Sequence, residues 1–185
     1  MKKSKLNRKK SSSLNNKTIS QKTIVGNSKN KKIALFIIKF FFIFFLLSFI
    51  VEILPLGWLN ELIAQVSSSL VGLSAKGAII NIDGFNFIVG NACTGLMSAS
   101  ILAATIFSLA KPSIKKKLML FTIGLGILLI VNIPRVSLVL LFAKYGFDAN
   151  LVHELTWFVM SGVILLIWYY GTKKVCEIKD FSELI

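Results

Sequence analysis

A thiol, a guanidinium and an imidazole are the side chains of this sequence best suited to chemistry, and they fall at Cys93, Arg135 and His153 on three separate hydrophobic segments. At the rise of a helix each lies about 27 to 30 Å from a lysine cluster, so all three share one depth, at one face of a bilayer. Polar groups are costly there, and three of them at one level are hard to attribute to packing. Together they supply acyl transfer: a thiolate to attack a carbonyl, a fixed positive charge for the oxyanion, and a group to carry the proton. Each alone has a plainer reading. A single Cys in an apolar helix is usually filler, an isolated Arg anchors a span to lipid phosphate, and a lone His makes an interfacial hydrogen bond. Their convergence points to a membrane-embedded thiol enzyme.

The local sequence around each residue refines this. Asn91-Ala92-Cys93-Thr94-Gly95 is expected to place the thiol in the first turn of a helix entering the membrane from outside, where free N–H groups and the helix dipole favour a thiolate. In Asn132-Ile133-Pro134-Arg135 the proline has no N–H for the carbonyl of Ile130, so Asn132 or Arg135 is expected to satisfy that oxygen. The guanidinium fork of Arg135 suits a carboxylate, a carbonyl or an oxyanion. His153, the only histidine, can take the thiol proton and later protonate a leaving amine or activate a second nucleophile. Glu154 diverges from it by about 100° around a helix and is assigned no role. Cys176, beside Lys173 and Lys174, falls on the opposite side of the bilayer from Cys93, so the two cannot pair within one chain. One histidine and one outer cysteine are too few ligands for a zinc centre, and no phosphate loop or hydrolase motif is present, so no metal and no cofactor is expected.

The elements that must position these residues follow from hydropathy and charge. Of 185 residues 55% are hydrophobic, and the mean hydropathy is +0.74, too apolar for a soluble domain. The net charge of +14 is concentrated in residues 1–32 and in clusters beside apolar stretches, so it reports membrane topology rather than a nucleic-acid partner. Residues 1–32 are expected to form a disordered basic cytoplasmic tail attracted to anionic lipid, residues 33–174 a membrane-embedded core, and residues 175–185 a second cytoplasmic tail. Within the core, Ile33 to Val51 reads as a retained first span; as a signal peptide its basic portion would be unusually long. Trp58 to Ser74 suits an amphipathic helix on the outer surface, roofing or walling the site. Gly77 to Gly90 reads as a short β-hairpin turning at Asp83-Gly84. Cys93 to Ala110, Leu118 to Ala143 and Leu151 to Tyr170 complete about four transmembrane helices, with Lys111, Lys115, Lys116 and Lys117 in a cytoplasmic loop. The fold class is thus an all-α polytopic membrane protein, multi-pass in the plasma membrane, with its site facing outside.

Ala92-Cys93-Thr94-Gly95, then Asn132-x-x-Arg135, then His153 early in the final segment resemble the exosortase/archaeosortase family in order, spacing and topological side. The resemblance runs from about Gly77 to Gly171 and leaves the Lys-rich tail outside; the chain has about half the spans of the larger exosortases and Thr94 where Ser is frequent. It implies a membrane cysteine transpeptidase that cleaves secreted proteins bearing a C-terminal tripartite sorting signal: a short motif, a hydrophobic helix and a basic tail. It further implies transfer to a cell-envelope or lipid acceptor, with Cys93 as nucleophile, Arg135 as the essential arginine and His153 as the third site residue, a place where members vary. The alternatives are an intramembrane cysteine protease without transfer, and a non-catalytic membrane assembly or transport component.

Overall fold

The computed structural model of the chain describes residues 30–82 and 84–175. Most of the expected basic tail, Asp83 of the expected turn, and Cys176 with the remaining C-terminal residues lie outside them. Asn30 to Lys32, expected in the tail, already belong to the first helix, α1, Asn30–Ile53. Its Phe41, Phe42, Phe45 and Phe49 are exposed, as suits a helix facing lipid. Pro55 cannot continue a helix and drives the residue before it out of helical conformation, so the chain breaks there. It resumes as α2, Gly57–Leu70, which ends short of the expected Ser74.

Helix α2 is amphipathic in the expected sense: Ile63, Ala64, Ser67 and Ser68, three and four residues apart, form its buried face. That face meets a small sheet and the fourth helix. The sheet is antiparallel, in the order β1 (Ala75–Lys76), β2 (Ile79–Ile82), β3 (Phe85–Ile88). The expected hairpin is present, with Ile82 opposite Phe85 and Gly84 at a φ of 89°, and β1 adds a third strand that alternation alone did not reveal. Ile80 and Ile82 point inward and are buried, while Ile79 and Asn81 point outward.

A 3-10 turn, Asn91–Thr94, follows β3 and leads into α3, Leu96–Ser108, then α4, Ile114–Lys144, and α5, Ala149–Val175. Among the described residues three helices, α1, α4 and α5, are long and apolar enough to cross a membrane. The remaining expected span holds only the 13 residues of α3, about 20 Å of helix against a hydrocarbon core of about 30 Å. Helix α3 is instead packed against α4 and α5, with Ala99, Leu102, Ile106, Leu120, Leu128, Met160 and Ile164 forming a shared core. Small residues permit the close approach: a Cβ on Gly124 would lie 2.5 Å from Leu102 and 3.0 Å from Ile167. The hydroxyls of Ser100, Thr105 and Ser108 donate back to carbonyls one turn earlier, which satisfies them inside an apolar helix.

The lysine-rich ends of the helices lie together. Lys32 and Lys39 of α1 line a cleft with Ser108 and Ala110, and Gly171 of α5 packs on Leu120 of α4. Lys117, expected in a loop, is buried and donates to the carbonyl of Leu109 beyond the end of α3. At the opposite end a second apolar cluster forms, in which Ile63, Ala64, Ile80, Ile82 and Val89 pack on Val136 and Leu140 of α4. The candidate residues sit between the two cores.

Candidate active site

Cys93 belongs to the 3-10 turn and not to the first turn of α3, because Gly95 intervenes with a φ of 85°. The thiol therefore lies outside the first turn of α3, which starts after the reversal at Gly95. Each residue of the motif has a local task instead. Asn91 donates through Nδ2 to the carbonyl of Val51 at 3.0 Å, with those of Glu52 and Leu54 at 3.3 and 3.4 Å, and accepts from Asn60 Nδ2 at 3.0 Å. It pins the turn to the end of α1 and to α2. Thr94 donates to the carbonyl of Asn91 at 2.7 Å and accepts from the N–H of Leu96 at 3.3 Å, which gives the first N–H of α3 a partner. Gly95 supplies the left-handed backbone and leaves room for α4, since a Cβ there would stand 3.1 Å from that of Asn132.

That closeness lets Asn132 reach the turn. Asn132 is fully buried; its Nδ2 donates to the carbonyl of Cys93 at 2.5 Å, and its Oδ1 accepts from Arg135 Nη1 at 3.2 Å. Neither residue serves the carbonyl of Ile130, as sequence reasoning expected, and α4 runs through Pro134 as one helix. Both side chains turn instead to the site. The carbonyl of Ile133 accepts from Ser67 of α2 at 3.4 Å and from Ser137 at 3.0 Å.

Arg135 is 6% exposed, and every part of its guanidinium has a partner. Nε donates to Thr156 Oγ1 at 3.2 Å, Nη2 lies 3.4 and 3.3 Å from the two ring nitrogens of His153, and the carbon of the fork sits 5.2 Å from the ring centre of Trp157. A cation over an indole face is attracted by its quadrupole. Trp157 Nε1 also donates to His153 Nε2 at 3.0 Å. An indole nitrogen only donates, so Nε2 accepts and the neutral ring is assigned its proton on Nδ1. Thr156 donates in turn to the carbonyl of His153 at 2.8 Å.

Thus Arg135 and His153 meet directly, and Cys93 joins them through Asn132. Cys93 is half-buried and packs against the cluster holding Val136 and Leu140. No hydrogen bond joins its thiol to His153 among the described residues. Thr156 and Trp157 were not singled out from sequence. The available signal was their spacing of three and four residues from His153, which puts all three on one face of α5.

Comparison with known proteins follows the same segments. The family described as transmembrane exosortase (Exosortase_EpsH) matches residues 23–170, so the likeness begins ahead of α1 and takes in α1 and α2 as well as the region from Gly77 onward. "Probable archaeosortase D" of Methanocaldococcus jannaschii is 28% identical over 142 residues, covering 75% of this chain and 90% of that protein. No solved structure matches the chain.

Proposed function

We propose, given that this chain belongs to the transmembrane exosortase family, that it is a membrane-embedded cysteine transpeptidase whose nucleophile is Cys93, whose oxyanion-stabilising group is Arg135, and whose proton carrier is His153. The observation that carries this reading is the buried guanidinium of Arg135, held from four sides and linked through Asn132 to the Cys93 turn. A fixed charge in a water-poor site, already oriented before charge develops, stabilises a tetrahedral intermediate without reorganisation. The substrates are secreted proteins with a C-terminal motif, apolar helix and basic tail, the helix lying beside the spans. The lysine-rich helix ends face the cytoplasm and the site faces outward across the plasma membrane.

In the reaction the Cys93 thiolate adds to the scissile carbonyl carbon and its oxygen becomes an oxyanion facing Arg135. The C–N bond then breaks, the departing amine of the apolar helix takes the proton that Cys93 gave up in forming the thiolate, and a thioester remains on Cys93. An amine or hydroxyl of a lipid or cell-envelope acceptor attacks the thioester, loses its proton, and releases the thiolate. His153 touches the guanidinium rather than the thiol, so its part is to carry the proton between leaving group and acceptor and to support Arg135. Replacing Cys93 or Arg135 by Ala is expected to leave the protein in the membrane while unprocessed substrate accumulates; normal processing by either variant refutes the assignment. The mass of the substrate's new C-terminus separates transfer from hydrolysis.

A further inference from the structure

The sheet has two edges, and they are treated differently. The β1 edge is two residues long and carries Lys76, a short, charged edge of the kind that resists pairing with another chain. The β3 edge reads Phe85-Asn86-Phe87-Ile88, with no charge, no proline and, among the described residues, no strand beyond it. Its register fixes which groups are free. Ile82 and Phe85 flank a two-residue loop and so form a hydrogen-bonded pair, as do Ile80 and Phe87 two residues on. The N–H and C=O groups of Asn86 and Ile88 therefore point away from β2, and both residues are exposed, Ile88 by 66%.

A cleft of about 380 Å³ lies beside β3, lined by Ile82, Phe85, Asn86 and Phe87 of the sheet and by Ala143, Gly146 and Phe147 from the end of α4 and its connection to α5. Phe87 and Ala143, which line the cleft, pack on the same apolar cluster as Cys93. The strand is also covalently continuous with the site, running from Ile88 through Gly90 into the Cys93 turn. A row of outward donors and acceptors alternating along an extended edge is complementary to one kind of ligand, another extended backbone.

We infer that β3 is a docking strand: the extended substrate segment preceding the scissile bond adds to it as a fourth strand, parallel to β3. This rests on the reading of Cys93 as nucleophile. The direction follows from the geometry, since the scissile end must lie toward Ile88 and Cys93 while the preceding residues trail back toward Phe85. Asn86 and Ile88 bind the substrate main chain, and alternate substrate side chains share the face of Phe85 and Phe87, which selects apolar groups at those positions.

Asn86→Pro removes an outward N–H and keeps the main-chain ladder to β2, losing only the exposed side-chain bond from Asn81 Nδ2. In membranes containing the full chain and its natural substrate, this variant and Ile88→Pro are expected to raise KM about tenfold, with a smaller change in kcat. A cross-link provides the second measurement and does not depend on turnover. In a Cys93→Ala background, Asn86→Cys should form a disulfide with a cysteine placed shortly before the substrate's scissile bond, and not with one placed after it; the Cys93→Ala parent should form neither. Unchanged KM in well-folded proline variants, or cross-linking only to the segment after the bond, overturns the docking strand. Normal processing by Cys93→Ala alone would instead overturn the nucleophile assignment, so the two failures are distinguishable.

Discussion

Asn132 offers the sharpest perturbation of the proposed site because it touches both the nucleophile's turn and the guanidinium while contributing no reactive group of its own. Asn132→Ala removes the bond to the Cys93 carbonyl and the bond from Arg135. The first is a neutral hydrogen bond, about 1 kcal/mol, and the second involves a charged donor, about 1.5 to 3 kcal/mol. If both serve to aim Arg135 and Cys93 at the transition state, the loss of about 2.5 to 4 kcal/mol appears as a fall in kcat of about 70- to 900-fold. Asn132→Asp divides the effect, since it keeps an acceptor for Arg135 but loses the donor to Cys93. The assay is the rate at which a membrane-bound substrate is shortened, normalised to the amount of folded enzyme in the membrane. A fall of less than about threefold in Asn132→Ala, smaller than one ordinary hydrogen bond, would refute the view that Asn132 couples the turn to the arginine.

Arg135→Lys should lose as much activity as Arg135→Ala, about 100- to 1,000-fold in kcat, because one ammonium cannot reach Asn132, Thr156 and His153 together or lie flat on Trp157; substrate processing in membranes checks it. Trp157→Phe keeps a ring beneath Arg135 and removes only the N–H to His153, so it should cost about tenfold or less in processing rate, and Trp157→Ala clearly more. Gly95→Ala forces a side chain into a backbone of φ 85° against Asn132, so the detergent-solubilised protein should melt at lower temperature, by the equivalent of about 1 to 2 kcal/mol, with activity falling as well.

Much of this arrangement was legible in the sequence because the signals were strong and local. The apolar runs before Glu52, after Lys117 and before Lys173 read as long helices, and the alternation of Ile80 and Ile82 with Asn81 marked the hairpin. Helical rise put Arg135 and His153 at one level, and they do meet; the same arithmetic for Cys93 assumed a continuous helix where the chain has a 3-10 turn and Gly95. What sequence missed depended on tertiary context. Helix propensity says nothing of Gly95 adopting a left-handed backbone to admit Asn132, so Cys93 was expected one element too late. A free carbonyl near Pro134 suggested a local partner for Asn132 and Arg135, whereas both reach across to other elements. Helix α3 reads as a span by hydropathy, but its small residues serve a short helix packed between longer ones. Trp157 was not singled out in the sequence, and only the approach of α4 to α5 makes it the platform for a cation.

The central claim is that Cys93 becomes acylated by its substrate. The direct measurement is the mass of Cys93-containing peptides from enzyme rapidly denatured during turnover. The account predicts a substrate-derived adduct on Cys93 that hydroxylamine releases and that is depleted in Arg135→Ala. Turnover proceeding in full with Cys93 unmodified, or with Cys93 replaced by Ala, would contradict it.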